Sequence, residues 1–92
     1  MAKVLITDKI NDLAVKIVAR VAQVDNLPTM DEDKLAEIIG DYDALLVRSQ
    51  TKVTPKIIEA AKNMKIIGRA GVGVDNIDVN AATQKGIIVV NV

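Results

Sequence analysis

The stretch Lys65-Ile66-Ile67-Gly68-Arg69-Ala70-Gly71-Val72-Gly73-Val74-Asp75-Asn76-Ile77-Asp78 runs from an apolar segment through a glycine turn into the start of a helix. This is the core of one β-α step. Glycine allows positive φ and close approach of the main chain to a ligand, and successive N–H groups in such a turn form a concave nest for an oxyanion. A carboxylate or a phosphate suits that nest.

The same alternation extends in both directions from this stretch. Upstream, Lys3-Val4-Leu5-Ile6-Thr7 reads as a strand ended by Asp8, and Leu13, Ala14, Ile17, Val18 and Val21 fall at helical spacing behind Asn11 or Asp12 as N-cap. A short strand is expected over Val21 to Asp25. Thr29 precedes Glu32 by three residues, the spacing of a capping box, and Leu35, Ile38 and Ile39 supply a buried stripe before Gly40. Asp43 to Arg48 reads as the third strand. Thr54-Pro55 then marks a helix start whose Ile57, Ile58 and Ala61 face inward. The fourth strand is Lys65 to Gly68, Asp78 or Asn76 caps a helix to about Gln84, Gly86 closes it, and Ile87 to Val90 is the fifth strand. Short right-handed connections predict an α/β fold with a parallel five-stranded sheet, most simply in the flavodoxin-like order 2-1-3-4-5, flanked by four helices.

Composition narrows the chemistry. The 92 residues contain no histidine and no cysteine, which excludes imidazole acid-base catalysis, thiol nucleophiles, Cys/His zinc sites and disulfides within this chain. Tyr42 is the only aromatic residue although half of the residues are hydrophobic, so the core is aliphatic, as parallel sheets covered by helices require. One domain over residues 1–92 is expected, burying roughly 60–65% of its unfolded surface. Twelve basic and twelve acidic side chains cancel and are scattered, which argues against nucleic acid or an anionic membrane as partner. With no long apolar run and no signal-peptide layout at Met1-Ala2-Lys3-Val4, a cytoplasmic location is the expectation.

In an open parallel sheet, ligands bind outside the carboxyl ends of the strands, where strand order reverses. That rule gathers Asp8, Arg48, Ser49, Arg69 and the Gly71-Val72-Gly73 turn on one rim. Arg48 and Arg69 are suited to a carboxylate or phosphate, and Ser49 adds a hydroxyl, so a small doubly anionic acid is the expected guest. Plainer readings exist for each. The arginines can neutralise Asp8, Asp43 or Asp75 at the surface; Gly71-Val72-Gly73 can be a tight turn only; Ser49, Thr51 and Thr54 can be turn and cap residues.

Two phosphate-binding alternatives fail on the residues. A dinucleotide fingerprint starting at Gly71 needs a third glycine where Asn76 stands and an acidic residue near Asn91. A phosphoryl-receiver domain needs a phospho-acceptor aspartate after the third strand, where Arg48-Ser49 stand, and a lysine at the position of Asn91.

The segment Gly68 to Asp78, with Ala81-Ala82-Thr83 and Lys85-Gly86-Ile87, resembles the substrate-binding domain of the D-isomer-specific 2-hydroxyacid dehydrogenases. The likeness spans the chain and is strongest from Gly40 to Asn91. Within that family it is similar to members that act on 3-phosphoglycerate. The resemblance implies NAD-linked oxidation of 3-phosphoglycerate to 3-phosphohydroxypyruvate, in serine biosynthesis. It further implies that the N–H groups around Val72 and Gly73 hold the substrate carboxylate, that Arg48, Ser49, Arg69 and Gly71 line the substrate side, and that Val72 meets the nicotinamide of NAD.

By the same resemblance, the nucleotide-binding domain and the catalytic arginine, glutamate and histidine lie beyond Val92. A final helix then returns to cover the sheet beside its first and third strands. The chain is therefore expected to be a truncated substrate-binding domain that holds no NAD and turns nothing over alone. It is expected to form a homodimer through the uncovered sheet face, either directly or by exchange of a terminal β-α unit. Two other readings stay open: a standalone module that binds small anionic acids, and a structural domain without a ligand.

Overall fold

The computed structural model describes residues 2–73 and 75–91; Val74 of the glycine stretch and the terminal Met1 and Val92 lie outside them. Five strands, β1 (Lys3–Ile6), β2 (Gln23–Asn26), β3 (Ala44–Val47), β4 (Ile66–Arg69) and β5 (Ile88–Asn91), alternate with α1 (Asp12–Ala19), α2 (Glu32–Ile38), α3 (Pro55–Ala60) and α4 (Val79–Gln84). All neighbouring strands pair in parallel, in the order β2-β1-β3-β4-β5. Among the described residues no helix is long and apolar enough to cross a membrane.

The strand order decides which face each helix takes. Only the β1-to-β2 crossover runs outward in one direction, while the other three run the opposite way, so right-handed crossing puts α1 on one face and α2, α3 and α4 on the other. Alternation along the strands feeds both layers. Leu5, Leu45, Val47 and Ile67 pack with Leu35, Ile39, Ile57, Ile58 and Ala82 in the larger core. Val4 and Ile6 turn the other way, onto Ala22 and the half-buried Val15 and Val18.

Local signals explain most helix ends. The Asn11 side chain accepts from the Leu13 N–H at 2.8 Å, Asp78 accepts from the Ala81 N–H at 2.9 Å, and Thr54 caps α3 ahead of Pro55. The capping box expected at Thr29 does not form. Asp31 caps α2 instead, accepting from the Lys34 N–H at 2.8 Å, because the Thr29 hydroxyl is drawn to the buried Asp8 carboxylate at 2.6 Å. Glu32 turns away to accept from the Thr54 hydroxyl. Gly40 does not stop α2 by a left-handed turn. It lies in a 3-10 turn over Ile39–Asp41, where an added Cβ would stand 3.3 Å from the Ala60 carbonyl.

The α1 stripe also needs correction. Leu13, Ile17 and Val21 are 65%, 54% and 76% exposed, and no residue of α1 is fully buried. A lone helix about 10 Å wide covers about two strands spaced at 4.8 Å, so only the Val15 and Val18 side of its apolar arc meets the sheet.

Tyr42 ties the turn after α2 to β2 by donating to the Asp25 carboxylate at 2.6 Å. Burial first, then the Asp25 hydrogen bond and the charges of Asp25 and Asp41, push the phenol up to about 12. A folded pKa raised above the ordinary value means that this contribution is present below pH 10 and is lost as pH rises toward 12. The chain has no tryptophan, so an ultraviolet titration reads this phenol alone. The expected midpoint is near 12 in the native protein, and Asp25→Asn brings it down toward the ordinary value of 10. A native midpoint of about 10 contradicts the contact.

Candidate functional site

The carboxyl end of β1 delivers Asp8 into the interior, where it is 1% exposed. A buried carboxylate is tolerable only when its oxygens are occupied. Four donors meet it: the Thr29 hydroxyl at 2.6 Å, the Thr51 hydroxyl at 2.6 Å, the Thr51 N–H at 3.0 Å and the Arg48 N–H at 2.8 Å. The buried Thr7 hydroxyl lies 3.0 Å from that of Thr51. Burial by itself raises the carboxyl pKa, but the bonds from Thr29, Thr51 and the Arg48 N–H together outweigh it and hold Asp8 below the ordinary 3.8.

The segment Arg48 to Thr51 is gripped from its other side too. The Asn76 side-chain amide donates to the Arg48 carbonyl and to the Thr51 carbonyl, both at 2.6 Å. Asn76 is 8% exposed, and a bridge between Val53 and Ile77 anchors the same place, with the Val53 N–H on the Asn76 carbonyl at 2.8 Å and the Asp78 N–H on the Val53 carbonyl at 2.9 Å. Asp8 therefore takes the N–H groups of residues 48 and 51 while Asn76 takes their carbonyls. This double clamp fixes the loop after β3 against the loops after β1 and β4.

Arg48 stands out of that clamp, its guanidinium donating to the Lys9 carbonyl at 3.3 Å. Among the described residues neither Arg48 nor Arg69 is paired with a carboxylate; the ion pairs are Lys56–Asp33 and Lys65–Asp43. The reading of the arginines as partners of Asp8, Asp43 or Asp75 does not hold there. Beside Arg48 opens a cleft of about 350 Å³ lined by Ile10, Asn11, Ala14, Arg48, Ala70 and Gly71. It lies between the ends of β1, β3 and β4, at the point where strand order reverses.

The glycine turn has its own internal brace. Gly71 and Gly73 have φ of +136° and +78°, a region that other residues enter only with strain. The Arg69 guanidinium donates to the carbonyl of Val72 and, at 3.0 Å, to that of Gly73, which also accepts from the Asn91 side chain. With the carbonyls held inward, the N–H groups of Gly71, Val72 and Gly73 meet no acceptor among the described residues. Val72 stands at the tip, 94% exposed.

Of the residues that the sequence singles out, Arg48, Gly71 and the loops that carry Ser49, Val72 and Gly73 are thus drawn to one rim. Ser49 is exposed on the clamped segment. Asp8 lies beneath the rim instead of on it, and the Arg69 contacts go to its own loop. Asn76, Thr51 and Thr29 carry more of the geometry than sequence reasoning assigned to them. Their hydrogen-bonding side chains were visible, but their partners lie 21 to 43 residues away. Among the described residues no group of three His, Cys, Asp or Glu side chains is placed to hold a metal ion.

Comparison with known proteins finds the same fold and sequence pattern elsewhere. The family model for the catalytic domain of D-isomer specific 2-hydroxyacid dehydrogenases matches residues 4–92. A D-3-phosphoglycerate dehydrogenase of Synechocystis sp. is 56% identical over 91 residues, covering 99% of this chain and 16% of the relative. The chain spans about a sixth of the length of the curated relatives it matches. Among solved structures, a Pyrococcus horikoshii protein superposes with a TM-score of 0.96 at 32% identity, over the whole of this chain and 28% of that one. The NAD⁺-bound 3-phosphoglycerate dehydrogenase of Entamoeba histolytica gives 0.86 at 33% identity, over 98% and 32%.

The clamp carries a pH signature. Because the folded pKa of Asp8 is depressed, its stabilisation is present above the ordinary 3.8 and disappears as pH falls toward the folded value. Asp8→Ala leaves buried donors unpaired and is expected to cost about 3 kcal/mol or more near neutrality, with the difference from wild type shrinking in acid. Urea unfolding followed by circular dichroism across that range measures both. A constant difference between the two proteins at every pH contradicts the assignment.

Proposed function

The chain belongs to the D-isomer specific 2-hydroxyacid dehydrogenase family, and from that membership and the Arg48 cleft we propose that it is the substrate-binding part of a D-3-phosphoglycerate dehydrogenase. In this reading the whole enzyme oxidises 3-phosphoglycerate to 3-phosphohydroxypyruvate. Arg48 takes an anionic group of the substrate, supported by the Ser49 hydroxyl, and the N–H groups of Gly71, Val72 and Gly73 take the carboxylate. Arg69 acts one step back, holding the turn in the shape that turns those N–H groups outward. Val72 offers an apolar surface to the nicotinamide.

The observation that carries the proposal is the double clamp. It fixes the main chain of Arg48, whose guanidinium faces no carboxylate among the described residues, near a turn whose N–H groups meet no acceptor there. Fixed donors lose little freedom on binding, and a dianion satisfies both sets at once. Parts of the reaction are missing from these 92 residues. When bound, NAD accepts the hydride that leaves the substrate carbon, and the hydroxyl proton needs a positioned base; this chain contains no histidine for that role. Its own contribution is to bind and orient.

The 92-residue chain is thus expected to bind 3-phosphoglycerate weakly, in the millimolar range, and to form no NADH with NAD. Amide shifts of Gly71 and Gly73 should move on titration, and Arg48→Ala should weaken the response about tenfold or more, the loss of one charge-assisted contact of about 1.5–3 kcal/mol. Unmoved shifts at high concentration remove the binding reading. NADH formation that survives repurification and vanishes with Arg48→Ala removes the assignment of chemistry to other residues.

A further inference from the structure

The loop that begins at Arg48 leaves β3 with a strand end on each side, that of β1 with Asp8 and that of β4 with the glycine turn. The main-chain groups of Arg48 and Thr51 converge on two atoms. Asp8 Oδ2 accepts from both N–H groups, at 2.8 and 3.0 Å, and Asn76 Nδ2 donates to both carbonyls, at 2.6 Å each. These two bonds also fix which way the Asn76 amide faces, since only its nitrogen end can meet two carbonyl oxygens. The amide oxygen is left buried and without a partner among the described residues. An unpaired buried acceptor is costly, so this side chain is no neutral filler of its place.

What the amide joins are the two halves of the anion site. Arg48 belongs to the loop after β3, whereas Gly71, Val72 and Gly73 belong to the loop after β4, in which Asn76 follows. Among the described residues, Asn76 makes the only side-chain hydrogen bonds between residues 48–51 and residues 71–78. Asp8 does not duplicate that tie, because it draws residues 48 and 51 toward β1, on the side of β3 away from the glycine turn. The direction of pull matters because Arg48 borders two clefts. One, of about 350 Å³, it shares with Gly71; the other, of about 370 Å³, it shares with Lys9 and with Asp12, whose carboxylate disfavours an anion. A tie to the glycine loop holds Arg48 beside the first.

We infer that Asn76 is a positioning residue: through the carbonyls of Arg48 and Thr51 it sets the separation between the Arg48 main chain and the N–H groups of the glycine turn, so that one ligand with an anionic group at each end bridges both. This rests on the anion-site reading given above. It adds that selectivity for a dianion resides in a buried side chain that does not line the cleft. Two contacts held at a fixed separation reinforce each other, because the second forms with little further loss of freedom. Once the loops are released from each other, each contact acts alone.

The test titrates the 92-residue chain with 3-phosphoglycerate and with D-glycerate, which lacks the phosphate, following the amide shifts of Gly71 and Gly73 in wild type, Asn76→Leu and Asn76→Ala. Leucine keeps the volume of the side chain and alanine does not; both remove the two N–H donors. Wild type is expected to prefer 3-phosphoglycerate by about tenfold or more, the effect of one charge-assisted contact, and each folded variant by about threefold or less. A side chain serving stability alone would lower the urea midpoint and weaken both ligands alike. A folded variant that keeps the wild-type preference therefore overturns the inference and leaves the anion-site reading standing, whereas a wild type that responds to neither ligand overturns both. A wild type that binds the two ligands equally also overturns the inference. Should neither variant fold, or neither respond, the Asn76 side-chain amide of the wild type decides: saturating 3-phosphoglycerate is expected to slow its hydrogen exchange about fivefold or more, and D-glycerate by about twofold or less. Equal slowing by the two ligands overturns the inference.

Discussion

A carboxylate sealed beneath the sheet rim is what the site geometry depends on. Asp8 is tolerated inside because its two oxygens receive four hydrogen bonds of 2.6 to 3.0 Å. Those donors come from separate parts of the chain: Thr29 from the loop before α2, and Arg48 and Thr51 from the loop after β3. Meeting the needs of one charge therefore brings loops together that the strands alone would only leave adjacent. Asn76 completes the arrangement from the loop after β4 by binding the carbonyls of the two residues whose N–H groups Asp8 holds.

Two arginines that look interchangeable in sequence, each at a strand end, have different duties here. Arg69 is directed at the carbonyls of Val72 and Gly73, where a guanidinium serves as an internal strut because it offers several donors in a fixed plane. Arg48 has its main-chain groups fully engaged and its side chain at the cleft, with a single contact to the Lys9 carbonyl. The difference arises from what each neighbouring loop must satisfy.

The fold was legible in the sequence wherever the deciding interaction is local. Thr54-Pro55 and Asp78 cap helices through bonds spanning three residues, and apolar runs of four mark strands whose parallel order follows from short right-handed connections. Legibility fails where a distant partner competes. Thr29 had the spacing of a cap but was taken by Asp8, leaving Asp31 to cap α2. Leu13 and Ile17 had the spacing of a core stripe, yet periodicity reports an apolar arc and not how much of it a neighbour covers. The site was legible as a set of strand ends and a glycine turn. The clamp was not, because Asn76 announces itself in sequence only as a missing third glycine or as an alternative helix cap.

The shallow seating of α1 gives the cleft walls unequal stiffness. One wall, Arg48 with Ala70 and Gly71, belongs to loops tied into the larger core, whereas Ile10, Asn11 and Ala14 lie at the start of a helix with no fully buried residue. Local opening free energies follow buried contacts, so the α1 wall opens first and amide exchange there is the faster of the two. Whatever covers the outer flank of α1 stiffens that wall as well. Covering the flank and filling the cleft would then be thermodynamically linked through one helix, each lowering the ordering cost of the other.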